Sequence, residues 1–167
     1  MTIKFKANLE LPTLQRLLVK DADAFVKDVI EGAAREWVKA AVAIIPVWSG
    51  ASRATLQALA DAVGESVPIS PSSTAPDRIG LGRLYSRGGI EKKGKASYSF
   101  YYETTLRYLI ANETQKVAPR TEGLFGSLIT PTPYKFREAG DRAAQAYIDK
   151  RLRELSFLQR IFGRKRL

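Results

Sequence analysis

Apolar side chains recur at helical spacing from residue 14 to residue 45, and Pro46 stops the run. Leu14, Leu18, Phe25, Val29, Trp37 and Ile44 mark the stripe, which Ala22, Val26, Ile30, Ala33 and Ala41 widen. Lys20, Asp23, Lys27, Asp28, Glu31, Glu36 and Lys39 supply the polar faces. This spacing predicts an amphipathic helix over 14–45, with Thr13 as its cap. At 1.5 Å of rise per residue it spans roughly 45 Å, so the rest of so short a chain has to be arranged along it. Gly32 is a weak point or a bend inside that helix, costing about 1 kcal/mol against Ala. Pro46 ends it by removing a donor and restricting Ile45.

Elsewhere the pattern is mixed. Over 3–11, Ile3, Phe5, Ala7, Leu9 and Leu11 alternate with Lys4, Lys6, Asn8 and Glu10, which predicts a half-buried strand ended by Pro12. After Pro46, Gly50 offers a turn and Ser49 or Ser52 a cap for a second helix to about Val63, where Gly64 stops it. Pro68, Pro71 and Pro76 make 67–77 a loop. Residues 79–85 and 96–102 predict two strands, joined by a flexible charged hairpin tip over 86–95. A short helix over about 103–112 and an irregular section over 113–133 follow. The last helix covers about 134–161, with Phe136, Ala139, Ala143, Tyr147, Leu152, Leu155 and Leu158 as its apolar face. The fold class is therefore α+β: a long N-terminal helix packed on a small antiparallel sheet with a long hairpin, plus a C-terminal helix. One domain over 1–149 and a basic helix end or tail over 150–167 account for the chain.

Composition narrows the chemistry. The chain has 167 residues, 27 Lys and Arg against 17 Asp and Glu, and neither Cys nor His, for a net charge of +10. That removes disulfides, thiolate nucleophiles, imidazole bases and the usual zinc or iron sites. A hard cation held by oxygen ligands is the one metal class left. The longest apolar run, Ala40 to Trp48, is too short for a spanning helix, and the N-terminus has no signal-peptide pattern. Both point to a protein folded in a cytoplasm, with no membrane partner and no cofactor. Seven basic residues between 150 and 167 face one acid, Glu154, so the excess charge sits at the C-terminus. Such a segment meets a phosphate backbone, an acidic protein surface, or solvent at the negative pole of a helix.

Acid–base work would fall to Asp, Glu, Lys or Tyr. Glu103 and Glu113 flank an aromatic-rich segment, but nothing else marks them as a catalytic pair. Gly80-Leu81-Gly82-Arg83 lacks the Walker spacing and the third Gly of a dinucleotide loop. No catalytic residue is assigned, and the chain reads as a non-enzyme. Arg83, Arg87, Lys92, Lys93 and Lys95 near Tyr85 and Tyr98 raise a second reading, a basic ribbon that binds nucleic acid.

Three features in order carry a resemblance. They are the long helix ending in Ile45-Pro46-Val47-Trp48-Ser49-Gly50-Ala51-Ser52-Arg53-Ala54, the aromatic strand running into Tyr101-Tyr102-Glu103-Thr104-Thr105-Leu106-Arg107-Tyr108 with Asn112-Glu113 beyond, and the Ala- and Tyr-rich C-terminal helix. Together they resemble the neck proteins of long-tailed bacteriophages, the head–tail connector and tail-completion family. That family carries a Pro-Val-x-Thr-Gly-x-x-Arg type segment; here Ser49 stands for the usual Thr and Ser52 for a frequent Leu. The resemblance implies a structural virion protein, made in the host cytoplasm, that forms a ring of six or twelve copies in the neck. Its partners would be other neck, portal-adaptor and tail-tube proteins, with non-specific contact to packaged DNA. Trp48, Ser49, Arg53, Tyr102, Glu103 and Arg107 become candidate interface residues. Lys92, Lys93, Lys95, Arg160, Arg164, Lys165 and Arg166 become candidate DNA-facing or partner-facing residues.

Overall fold

The computed structural model describes residues 3–10, 22–45, 47, 49–114 and 135–163. Among these the chain runs β1 (Ile3–Glu10), α1 (Ala22–Ile44), α2 (Ala51–Ala54), α3 (Gln57–Val63), α4 (Ile79–Leu84), β2 (Ser86–Gly94), β3 (Ser97–Thr104), α5 (Arg107–Thr114) and α6 (Phe136–Gly163). The arrangement is α+β, as the periodicities predict. Thr13 and the first eight positions expected in the long helix, 14–21, lie outside the described residues, as do Pro46 and Trp48.

The apolar stripe of α1 is wide because the helix has neighbours on two sides. Val26, Val29, Ile30, Ala33, Ala34, Trp37, Val38 and Ala41 are all buried. One flank meets α6 and the other meets β3 and α3. Helix α6 runs antiparallel to α1, as three contacts along its length show. Trp37 Nε1 donates to Asp141 Oδ1 at 2.9 Å. Tyr147 lies against Gly32. Arg151 reaches Asp28 Oδ2 at 2.9 Å. Gly32 is thus neither a bend nor an idle weakness: it makes room for a tyrosine ring. The buried seam of α6 is Phe136, Gly140, Ala144 and Ile148, with the predicted Ala139, Ala143, Tyr147 and Leu152 half-buried along its flank. Leu158 lies among residues whose side chains are not described.

The sheet has three antiparallel strands in the order β1-β3-β2. Strand β3 is central, and Tyr98, Phe100, Tyr102 and Thr104 on its inner face are buried. Trp37, Tyr102 and Phe136 meet where α1, β3 and α6 converge. Tyr102 lies 5.2 Å from Trp37, and Phe136 stands edge-on to both at 6.3 Å. Such tilted and edge-on pairs add to the area that the rings bury.

Three local expectations are corrected. Residues 79–85 are not a strand: Ile79–Leu84 is helix α4, started by Asp77 Oδ1, which accepts from Ile79 N at 2.9 Å. The supposed hairpin tip, 86–95, is mostly strand β2, and the turn falls at Lys95 and Ala96 instead. Gly88 permits this because Leu59 of α3 sits directly against it, where a side chain would not fit. The second helix is split into α2 and α3 at Thr55 and Leu56, and neither Ser49 nor Ser52 caps it. Gly50, in the left-handed region at φ 76°, starts α2, while Gly64 at φ 69° closes α3 as predicted. Glu103 belongs to β3 rather than to the short helix, which begins at Arg107. Lys150 falls inside α6, which continues through it to Gly163.

Candidate functional site

The corner after α1 is held together from within. Arg53 Nε donates to the carbonyl of Ile45 at 2.8 Å, and its Nη1 donates to Pro68 at 3.1 Å. One guanidinium therefore ties the end of α1, helix α2 and the loop before α4. Burial pulls its pKa below the usual arginine value. Ser49 is buried, and its carbonyl accepts from Arg78 N at 3.1 Å. Tyr102 is fully buried and belongs to the core, not to an exposed interface. Its hydroxyl sits 2.7 Å from Thr55 Oγ1, which itself donates to the Ser52 carbonyl at 2.6 Å. With the single Thr55 proton so committed, Tyr102 is the donor between the two hydroxyls. Of the six candidate interface residues, Glu103 is half-exposed and Arg107 exposed; Trp48 lies outside the described residues.

The hairpin lysines are mostly spoken for. Lys92 Nζ lies 2.8 Å from Asp23 Oδ2 and over the Tyr98 ring. Lys93 pairs with Glu91. Asp23, in the first turn of α1, also accepts from Tyr98 Oη at 2.7 Å and from Ala96 N at 2.9 Å. Bonds from Lys92, Tyr98 and the Ala96 amide lower its pKa from 3.8 to about 2. The same bond holds Lys92 above the ordinary lysine value. This cluster pins the hairpin turn, where Ala96 takes a left-handed φ of 51°, to the start of α1. Lys95 is exposed and makes no ion pair among the described residues. Arg160 falls on the last turns of α6, with its side chain not described, and Arg164, Lys165 and Arg166 lie outside the described residues.

Glu113 has a structural task. Its Oε2 accepts from Phe136 N at 2.9 Å and its Oε1 from Arg137 N at 3.2 Å, so it caps α6 from a distant helix. Burial pushes its pKa up against the pull of those two amides. Both oxygens are engaged, so Glu113 does not form the carboxylate pair with Glu103 that spacing alone allowed. Among the described residues, no group of three or more carboxylates is placed to hold a metal.

The surface that stands out is one the sequence reading missed. Helix α4 lies on α2, where Gly82 meets the Ala51 carbonyl. Its opposite face carries the large exposed apolar residues among the described ones: Leu81 at 42%, Leu84 at 72% and Tyr85 at 46% exposure. Arg78, Arg83 and Arg87 are exposed around it. None of these three side chains meets a carboxylate among the described residues. Arg107 starts α5 close by, because Thr105 N donates to the Tyr85 carbonyl at 2.9 Å. The signal was present as the i, i+3, i+4 spacing of Leu81, Leu84 and Tyr85, which begins four residues after Asp77. No helix among the described residues is long and apolar enough to cross a membrane. No family model, curated protein or solved structure matches this chain.

Proposed function

We propose that the chain is a structural virion protein of a tailed-bacteriophage neck, one ring of six or twelve copies between the DNA-filled head and the tail. The observation that carries this reading is the resemblance of residues 45–54 and 101–113, in that order, within a long-helix, small-sheet, C-terminal-helix architecture. The built corner around Arg53 supports it, since a segment so fixed presents a defined shape at the end of the long helix. A ring of identical copies needs one patch meeting a different patch on the next copy. No step in this role calls for turnover, in keeping with a chain that has neither Cys nor His. The nucleic-acid reading keeps Arg83, Arg87 and Lys95 of its basic ribbon, while Lys92 and Lys93 are paired with Asp23 and Glu91.

The test is genetic. Remove the gene from an infectious parent, then count plaques and image the particles by electron microscopy. Separated heads and tails with lost infectivity, restored by supplying the protein, are expected. Joined, infectious particles without the protein would reject the assignment. Tight, salt-sensitive DNA binding by the isolated monomer would favour the nucleic-acid reading instead.

A further inference from the structure

We infer that the exposed face of α4 is a docking site for an acidic, leucine-bearing segment of a different protein chain. The inference stands on this surface alone and does not depend on the neck reading. Arg78 N bonded to Ser49 O, and Gly82 seated on α2, fix the inner side of the helix. Leu81, Leu84 and Tyr85 are thereby held outward on one face, with Leu84 at 72% exposure. A rigid element that presents three large apolar groups together is an anchor surface rather than scattered exposed residues.

The charge around it selects the partner. On the rest of the described surface many cations already have acids: Lys27 with Glu31, Lys39 with Glu36, Lys135 with Glu138 and Arg151 with Asp28. Arg78, Arg83 and Arg87 have none among the described residues, although Glu103 stands opposite Arg87 on β3, and Asp77 is engaged with the Ile79 amide. Arginines flanking aliphatic and tyrosine side chains match the make-up of protein interfaces, and their planar forks suit carboxylates. Duplex DNA would satisfy the arginines but leave Leu81 and Leu84 against a charged backbone. A second copy brings its own +10 charge. Its exposed acids among the described residues are scattered and already engaged: Asp28 and Glu154 with Arg151, Glu138 with Lys135, Asp61 with Gln57, Asp149 with Gln145 and Asp77 with the Ile79 amide. A separate chain with carboxylates around leucines fits both halves of the surface.

The test titrates the full chain into a labelled helical peptide carrying Leu at i, i+3, i+4 and i+7 and Glu elsewhere. Comparators are the same peptide with Lys in place of Glu, polyglutamate of equal length, a short DNA duplex and phosphatidylserine vesicles. The Leu/Glu peptide is expected to bind at least about tenfold more tightly than any comparator. Leu84→Asp and the double change Arg83→Glu with Arg87→Glu should each weaken it by about tenfold, with circular dichroism and Tm unchanged. Leu84→Ser serves if the Asp variant fails to fold. Absence of binding, equal binding of any comparator, insensitivity to these changes, or self-association lost on changing Leu84 would each overturn the inference.

Discussion

Asp23 is the residue on which most of the hairpin's placement converges. It accepts from a lysine, a tyrosine and a backbone amide on the turn, and these bonds lower its pKa from 3.8 to about 2. A depressed carboxylate contributes stability that is fully present above the unfolded pKa and is lost as pH falls through the folded one. The relevant window is therefore between about pH 4 and pH 2. Asp23→Asn should be less stable than the parent at neutral pH, and the two unfolding curves should converge as pH falls towards 2. A constant gap across that range, followed by urea unfolding at each pH, would show that the charge of Asp23 is not what matters. Glu113 acts differently: it fills amide valences at the head of α6. Glu113→Ala should cost about 1 kcal/mol, the usual loss of a cap, read from the urea midpoint.

At the scale of elements, the α1–α6 pair depends on two glycine–aromatic contacts that differ in how far they can yield. A methyl at Gly140 would come within 2.5 Å of Trp37 Nε1, and that ring is fully buried and tied to Asp141. A methyl at Gly32 would strike Tyr147, which is only half-buried and free to swing outward. Either change to Ala gains about 1 kcal/mol of helix propensity. Gly140→Ala should still lose about 1–2 kcal/mol net through overpacking, whereas Gly32→Ala should be close to neutral. Thermal unfolding of the two variants side by side checks the ordering. Periodicity made α1 and β3 legible because each buries one continuous face. It misled at 79–94, where Ile79, Leu81 and Tyr85 alternate like a strand although Leu81 and Tyr85 are exposed. It misled again at β2, whose glycines read as a turn until Leu59 and the Tyr101 ring are seen beside Gly88 and Gly89. Contacts from distant elements decide those segments, and local pattern does not carry them.

For the whole molecule, the candidate site was the least legible part. The 45–54 motif stands out in sequence, yet Ser49 and Arg53 serve the internal corner and Tyr102 the core. Arg83, Tyr85 and Arg87 enter the sequence reading as part of a basic ribbon, but the apolar face of α4 is hidden there because 79–85 reads as a strand. Under the neck reading, deleting residues 160–167 should cut the yield of infectious particles while leaving the Tm of the protein nearly unchanged, because a chain end beyond the buried seam contributes little to the core. Plaque counts beside a melting curve test this. A large fall in Tm would assign that segment to the fold instead.

The pairing of α1 with α6 joins segments over a hundred positions apart, as Trp37 and Asp141 do. A ribosome releases these two partners in order, so until residue 136 emerges the α6 flank of α1 has no cover. Nascent chains halted before residue 136 should accordingly recruit holdase chaperones, and release from them should coincide with the emergence of α6. Contacts this remote in sequence also make refolding slow for a protein with so much helix. Helix α6, made after every other described element, is the one that closes the core.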